Sequence, residues 1–319
     1  MTITERIDHI THIPQEYLKA KPPAPKSVKI ELTGRCNYKC GFCALRMRDK
    51  QPLRKDDMKL PFFKRITLEM YEAGVEEIGL FYLGESLMNP ELVQDACIYL
   101  KHELQMPYVF LTTNGSLATD EVLIGLMEAG LDSLKFSINA TDFVQFKEIM
   151  GVKPKLYKKA LAAVKRAWEI REEGNYRTKI YASSIQYDGK QQDRMQDLLD
   201  EYIVPYTDEN YFLPLYSMGA VATQREEELG YRPTAGNQGR IGGLVSPLPC
   251  WSAFTEGHVR HDGMMSLCCF DADGRFQVGN LHEHSFMDLW HSDMFAKVRE
   301  GHLKRDVKGT VCEDCIAYT

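Results

Sequence analysis

The chain lacks three features that would place it in a membrane, outside the cell or on nucleic acid. None of its 319 residues fall in an uninterrupted apolar run of about 18, so we expect no membrane span. The N-terminal sequence MTITERIDHITHIPQEYL has no apolar core of a secretory signal. The net charge of -6 disfavours a general nucleic-acid binder, because such proteins are usually basic. We therefore expect a cytoplasmic protein whose thiols stay reduced and are available to metal.

A fourth cysteine is missing from the first cysteine cluster, which is the most informative part of the chain. Cys36, Cys40 and Cys43 form a C-x3-C-x2-C loop after an apolar strand, and no further cysteine lies nearby in the sequence. Three thiolates can hold three irons of a cubane cluster and leave the remaining iron open to a substrate or cofactor. Buried or disulfide-bonded cysteines are the alternative, which a reducing compartment disfavours.

A second group of cysteines lies near the C-terminus. It has the spacing C-x17-C-x43-C-x2-C and consists of Cys250, Cys268, Cys312 and Cys315. Four thiolates fit either a fully ligated four-iron cluster or a zinc site, and the spacing by itself leaves both open. Of the nine cysteines, Cys97 lies in an amphipathic run and reads as a core thiol, whereas Cys269 is an unassigned thiol beside Cys268.

Apolar strands alternate with helical runs from residue 28 to about 216. The predicted strands are 28–32, 77–83, 108–114, 133–139, 179–185 and 210–216, and the predicted helices are 61–73, 90–105, 119–129, 154–173 and 190–203. Such βα repeats predict an α/β fold with a parallel sheet and helices outside. Six strands are too few for the eight-stranded barrel, so we expect a partial, open (β/α)6 barrel. Its functional residues should lie at the C-terminal ends of the strands.

The predicted domain organisation has four segments. They are an N-terminal arm (1–26), the partial barrel (27–216), a linker rich in Gly and Pro (217–247) and a small C-terminal domain (248–319). In the last segment we expect a β-hairpin with a turn at Asp273–Gly274, followed by one helix through SFMDLWHSDMFAKVREGHL.

The C-x3-C-x2-C loop after the first strand resembles the radical S-adenosylmethionine (SAM) superfamily. In that family the open iron is chelated by the amino and carboxylate groups of SAM, and the reduced cluster cleaves SAM to a 5′-deoxyadenosyl radical. LGESLMNP resembles the family's GGEP motif, although Leu83 replaces its first Gly and Ser86 its Pro. TTNG and KFSIN resemble further elements of the cofactor site. The resemblance implies that SAM is contacted by Phe42, Gly84, Glu85, Asn114, Ser137 and Asn139. The alternative for Phe42 is core packing, and for Asn114 an ordinary turn. For Ser137 and Asn139 it is strand-end capping.

The second cysteine group, a GNL turn and an LWHS helix together resemble the C-terminal auxiliary-cluster domains of radical SAM enzymes. These domains are called SPASM when long and twitch when short. A full SPASM domain holds two clusters and needs more than the five cysteines that this segment has. The resemblance therefore implies one auxiliary 4Fe–4S cluster of the twitch type, on Cys250, Cys268, Cys312 and Cys315. The spacing is most similar to that of the 2-deoxy-scyllo-inosamine dehydrogenase type.

The resemblance to that type implies oxidation of an alcohol to a ketone, with the auxiliary cluster accepting an electron. The expected partners are a small polar substrate, such as an aminocyclitol or sugar, and a flavodoxin- or ferredoxin-type reductant. Arg46, Tyr216, His258 and His261 are candidates for the base, each with a surface or core role as the alternative.

Three other functions stay open. An epimerase would use Cys269 as its hydrogen donor. Peptide modification is disfavoured, because only 35 residues precede Cys36, too few for a peptide-recognition module. A non-catalytic electron-transfer protein is disfavoured by the residues that resemble SAM-binding motifs.

Overall fold

The computed structural model describes residues 2–43, 45, 56–216, 248–271, 274–313 and 315. Six strands run parallel in the order of the chain: β1 (Ser27–Ile30), β2 (Glu77–Gly79), β3 (Tyr108–Thr113), β4 (Ser133–Ser137), β5 (Lys179–Ile185) and β6 (Glu209–Leu213). All six lie within or beside the predicted strands. The α/β class and the partial (β/α)6 barrel are confirmed.

The helices between these strands cover the outside of the sheet. They are α2 (Leu60–Glu72), α3 (Pro90–Ile98), α4 (Asp120–Glu128), α5 (Phe143–Met150), α6 (Lys155–Gly174) and α7 (Gly189–Tyr202). The prediction missed α5, which is only eight residues long. Its ends are nevertheless marked in the sequence, because the Asp142 carboxylate accepts from the backbone N–H of Val144 and Gln145, and Gly151 ends it at a φ of +63°. Cys97 is fully buried in α3, as expected of a core thiol.

The N-terminal arm forms α1 (Ile3–Thr11), which lies across the N-terminal ends of the barrel strands. The backbone N–H of Ile3 donates to Glu209 at 2.9 Å, at the start of β6. Arg6 forms an ion pair with Glu77, at the start of β2, and its guanidinium carbon lies 3.2 Å from the centre of the Tyr108 ring. The arm therefore closes the floor of the barrel.

The C-terminal segment continues the same sheet. β7 (Glu256–Val259) pairs in parallel with β1, and β8 (Met264–Ser266) and β9 (Gln277–Asn280) follow in antiparallel order, so the sheet has nine strands. Gly274 lies in the connection between β8 and β9, and Asp273 lies outside the described residues. β8 and β9 thus form a hairpin whose connection includes Gly274, as predicted, and a further tight turn, which was not predicted, joins β7 to β8 at Gly263, whose φ is +82°.

Short helices complete this segment: α8 (Ser252–Thr255), α9 (Phe286–Trp290) and α10 (Asp293–Lys304). The single helix predicted here is two helices, because the Ser292 side chain accepts from the N–H of Phe295 and starts a new one. The four segment boundaries remain a prediction. Among the described residues, no helix combines the length and the apolar character needed to traverse a bilayer.

Candidate active site

The first cysteine loop lies at the C-terminal end of β1, where the fold was expected to gather its functional residues. α5 supports the loop through the backbone, since the N–H of Lys39 donates to Met150 at 2.9 Å and that of Gly41 to Ile149 at 2.8 Å. Cys36, Cys40 and Cys43 are half-buried, and no disulfide joins any of the nine cysteines. Three reduced thiols on one short loop fit the three-thiolate donor set of an iron–sulfur cluster with one open iron.

The loop after β2 packs directly against the start of the cysteine loop. A Cβ on Gly84 would lie 2.1 Å from the carbonyl oxygen of Thr33, so only glycine fits at this approach. The N–H of Glu85 donates to the carbonyl of Arg35 at 2.9 Å. The two sequence motifs are therefore joined by backbone contacts.

The Glu85 carboxylate ties the loop after β2 to the loop after β3. It accepts from the Thr113 hydroxyl at 2.7 Å, from the N–H of Asn114 at 2.8 Å and from the N–H of Leu87 at 3.1 Å. Burial raises the pKa of the Glu85 carboxyl, and the hydrogen bonds from Asn114, Thr113 and Leu87 oppose that shift. Its observed partners are protein groups, and contact with SAM stays a prediction.

Asn114 also joins the cysteine loop to the TTNG turn. Its amide donates to Asn37 at 2.9 Å, Asn37 donates to the Ser116 hydroxyl at 2.9 Å, and Ser116 donates back to Asn114 at 2.7 Å. Asn114, Ser137 and Asn139 line one small cavity beside Tyr38. The sequence analysis missed Asn37 and Ser116, which carry no motif signal beyond their place next to Cys36 and Asn114.

Asn139 and Phe42 have visible structural contacts. The Asn139 side chain accepts from the N–H of Ile185 at 3.0 Å, and its carbonyl accepts from the Tyr187 hydroxyl at 2.5 Å, which matches strand-end capping. Phe42 is half-buried and packs against the core beside Cys43. Their roles towards SAM remain predictions.

A buried carboxylate, Glu31, links the loop after β2 to the C-terminal segment. Its Oε1 accepts from the N–H of Gly84 at 3.1 Å, and its Oε2 lies 2.7 Å from His261 Nδ1. A Cβ on Gly34 would lie 2.5 Å from the His261 ring. His261, a candidate base, thus packs against the start of the cysteine loop. Glu31 was missed, although Lys29 and Glu31 at alternate positions already mark one polar face of a buried strand.

The second cysteine group is organised around His302 of α10. The N–H of Cys250 donates to His302 Nδ1 at 3.1 Å, so Nε2 carries the proton, and it lies 3.4 Å from Cys312 Sγ. Burial lowers the pKa of His302 to about 4, which keeps the ring neutral. The N–H of Cys315 donates to the carbonyl of Cys312 at 3.1 Å. The thiols of Cys250, Cys268, Cys312 and Cys315, none of them in a disulfide, fit a four-thiolate donor set, and His302 was not anticipated.

Cys269 belongs to a row of polar side chains between β1 and β7. Lys29 Nζ lies 2.5 Å from Glu256 Oε1, and Glu256 Oε2 lies 2.8 Å from His258 Nε2. Three side chains, those of Glu256, His258 and Cys269, each present one possible ligand atom, and these atoms lie within 4.8 Å of one another. A hydrogen bond from Cys268 and the adjacent His258 hold the pKa of the Cys269 thiol well below its usual range, although burial opposes them. The sequence analysis missed Lys29 and Glu256.

A cavity of about 110 Å³ lies inside the barrel, between the strands and α1. Its walls are largely aromatic, with Phe81, Tyr108, Phe110 and Tyr211, and its polar groups include Arg6, Lys29, Glu77, Lys135 and Glu256. Lys135 Nζ lies 3.3 Å from the Tyr211 hydroxyl. An apolar cavity with a few placed polar groups is typical of small-molecule sites. Tyr216, a candidate base, lines it, whereas Arg46 lies outside the described residues.

Two family models match parts of the chain, one in the barrel and one in the C-terminal segment. Residues 30–176 match the Radical SAM superfamily, and residues 250–316 match SPASM, an iron–sulfur cluster-binding domain. These domains establish SAM and 4Fe–4S clusters as the cofactors, and the thiol groups at the two sites fit them. The identities of the individual ligands remain a prediction.

Two curated relatives show how far the sequence likeness extends. A GTP 3′,8-cyclase of Synechococcus elongatus is 24% identical over 281 residues, which cover 81% of this chain and 84% of the cyclase. An S-adenosylmethionine-dependent nucleotide dehydratase of Danio rerio is 34% identical over 105 residues, which cover 32% of this chain and 28% of the dehydratase.

Solved structures share the fold at low sequence identity. BtrN in complex with AdoMet and 2-DOIA is 16% identical with a TM-score of 0.57, and the match covers 91% of this chain and 92% of BtrN. Streptococcus suis SuiB bound to the precursor peptide SuiA is 16% identical with a TM-score of 0.63, over 93% of this chain and 71% of SuiB. These matches show a shared fold, and the dehydrogenase type stays a prediction.

Proposed function

We propose that this chain, which contains a radical SAM domain followed by a SPASM domain, oxidises an alcohol of a small polar substrate to a ketone. The observation that carries the proposal is the barrel cavity, whose polar lining Lys29 and Glu256 continues through His258 to Cys269, beside the second thiol group. The first thiol group follows the same strand, β1, at its C-terminal end. A substrate in the barrel would lie between the two cluster sites.

The proposed ligands follow from this arrangement. Cys36, Cys40 and Cys43 would hold the SAM-binding cluster, and Cys250, Cys268, Cys312 and Cys315 the auxiliary cluster. When bound, these cofactors supply a carbon radical able to take hydrogen from a C–H bond and an acceptor for the remaining electron. A flavodoxin- or ferredoxin-type reductant and a cytoplasmic location belong to the same proposal, because the thiolate ligands need a reducing compartment.

His258 is the proposed acceptor of the hydroxyl proton. Its Nε2 is engaged by Glu256, and its Nδ1 is buried without a hydrogen-bond partner among the described residues. Burial opposes protonation of the ring, whereas Glu256 and Cys269 raise the pKa of His258. When a carboxylate orients a histidine ring through one ring nitrogen, the second ring nitrogen is available for proton transfer. Lys29 and Lys135 can donate hydrogen bonds to substrate hydroxyl groups from the cavity wall.

The proposal is tested with anaerobically reconstituted protein. Two four-iron clusters give about eight irons per chain, and a value near four contradicts the auxiliary cluster. The Cys36→Ala/Cys40→Ala/Cys43→Ala variant should lose 5′-deoxyadenosine formation from SAM, whereas Cys97→Ala, in the core, serves as the thiol control. A substrate panel should include aminocyclitols and sugars, and also nucleotides and peptides because relatives and structural neighbours are named for them. Ketone formation from an alcohol supports the proposal.

Epimerisation is the second candidate, favoured by the position of Cys269. Of the row of Glu256, His258 and Cys269 only Glu256 lines the barrel cavity, and the Cys269 thiol lies within 4.8 Å of the Glu256 carboxylate, from where we propose that it returns a hydrogen atom to the substrate. In heavy water an epimerase incorporates deuterium at the reacting carbon, whereas a dehydrogenase does not. If the wild type incorporates deuterium and the Cys269→Ala variant does not, epimerisation replaces dehydrogenation as the proposed function.

A further inference from the structure

An exposed cluster of lysines, here named the lysine patch, lies on the first cysteine loop, on α5, which supports that loop, and on the start of α6. Its members are Lys39, Lys147, Lys153, Lys155, Lys158 and Lys159. Lys39 is in the cysteine loop itself, Lys147 is on α5, Lys153 follows α5, and the other three begin α6. Lys155, Lys158 and Lys159 are spaced three and four residues apart, so they share one face of α6.

Packing contacts join the elements that carry these lysines. A Cβ on Gly151, at the end of α5, would lie 2.8 Å from the Lys39 carbonyl oxygen, so α5 and the cysteine loop touch there. Lys158 Nζ lies 5.4 Å from the centre of the Phe143 ring, at the other end of α5. The patch therefore extends from the backbone that carries Cys40 over both helices.

The patch is positive on a protein whose net charge is -6. None of its six lysines forms an ion pair within the part of the chain that the structure describes. Asp142 caps α5 and Glu148 lies on it, and Asp142 already pairs with Arg194 at 3.6 Å. Beside the lysines, Phe143 is 43% and Val144 is 66% exposed. Exposed apolar side chains with a charged rim are the usual anatomy of a protein interface.

We propose that the lysine patch, with Phe143 and Val144, is the docking surface for an acidic one-electron carrier protein. The inference rests on the proposed function, in which a cluster on Cys36, Cys40 and Cys43 must be reduced. The reduced carrier loses one electron and the cluster gains it, with no bond made or broken. Opposite charge steers such encounters and speeds association, and the short path through the Lys39–Cys40 segment brings the carrier to the cluster loop.

The experiment compares two variants with the same change in charge. Lys155→Glu/Lys158→Glu reverses the patch, and Lys297→Glu/Lys304→Glu reverses exposed lysines on α10 as the control. An acidic flavodoxin of low potential is the probe. Its affinity for the reconstituted protein is measured by calorimetry at two salt concentrations, and 5′-deoxyadenosine formation is measured with reduced flavodoxin and with dithionite.

We expect the patch variant to bind flavodoxin about tenfold more weakly at low salt, with the difference shrinking at high salt. Its rate with dithionite should equal that of the wild type, since a small reductant needs no docking surface. Equal flavodoxin affinity of the two variants overturns the proposal, as does salt-insensitive binding. The wild type could instead bind single-stranded RNA and not flavodoxin, and the patch variant could lose that RNA binding. This result would assign the surface to nucleic acid. No SAM cleavage with dithionite in the wild type contradicts the proposed function, while the binding measurement still tests the patch.

Discussion

Glu31 and His261 are 230 residues apart in the chain, and Glu31 Oε2 lies 2.7 Å from His261 Nδ1 in the buried centre of the sheet. The same carboxylate accepts from the N–H of Gly84 through Oε1. One side chain thus connects the loop after β2, the strand that leads into the cysteine loop, and the turn between β7 and β8. The SPASM segment is fixed to the SAM domain by this contact as well as by the pairing of β1 with β7.

Glu31→Gln should destabilise the fold and weaken the link between the two segments. A glutamine amide presents a donor where the carboxylate accepts, so either Gly84 or His261 is left with an unsatisfied buried group. We expect a loss of about 3 kcal/mol in the free energy of unfolding, measured by denaturant titration. Glu76→Gln is the control, because Glu76 is exposed and pairs only with His9 at the surface, which contributes less than about 1 kcal/mol. Equal losses for both variants would contradict a buried connecting role.

Glu85→Gln should weaken SAM binding. The Glu85 carboxylate accepts three hydrogen bonds that set the positions of Leu87, Thr113 and Asn114, and a glutamine side chain has only one acceptor oxygen. We expect the Kd for SAM, measured by calorimetry on the reconstituted protein, to rise by about tenfold or more. Thr113→Val removes a single one of these hydrogen bonds and should cause a smaller rise. If Glu85→Gln binds SAM as the wild type does, the carboxylate neither positions the site nor contacts the cofactor.

Gly84→Ala should perturb the cysteine loop by steric overlap. The added methyl group would lie 2.1 Å from a backbone oxygen of Thr33, which has no rotamer by which to move away. We expect a loss above about 3 kcal/mol in the free energy of unfolding, together with reduced iron content. Gly74→Ala is the matched control. Its Cβ meets nothing within 4 Å, and the cost there is only that of a φ of +92°, about 1 kcal/mol. Similar losses at both glycines would show that the Gly84 approach is not tight.

Arg6→Met should destabilise the floor of the barrel in a pH-dependent way. Burial raises the pKa of Glu77 and Arg6 lowers it, so removing Arg6 raises this pKa further above its unfolded value. The folded state then favours the protonated carboxyl, and the destabilisation is largest at neutral pH and diminishes as the pH falls. We expect Arg6→Met to lose about 3 kcal/mol in the free energy of unfolding at neutral pH, measured by denaturant titration. Arg166→Met is the control, because Arg166 pairs with Asp120 and Glu169 at the exposed surface and its loss should have far less effect. A pH-independent loss in Arg6→Met would show that Glu77 is not the cause.

Much of the barrel was predictable because its signals are local. The strand from Lys179 to Ile185 was predicted to the residue, and each predicted helix is present, since apolar spacing and end glycines act within one element. The prediction failed where the signal was short. α5 has only eight residues, and the turn at Gly263 between β7 and β8 was not predicted. Gly274 of the predicted hairpin turn does lie in the connection between the antiparallel strands β8 and β9.

The sequence by itself determined the alternation of strands and helices and the two cysteine groups, and through them the cofactors. Both kinds of signal depend on residues a few positions apart, which a linear pattern contains. Only the tertiary structure decided that β7 lies beside β1, and with it that Lys29 meets Glu256 and that Glu31 meets His261. These contacts depend on the register between strands more than 220 residues apart, which local periodicity does not encode. The polar row beside the barrel cavity exists because that register sets two alternating polar faces against each other.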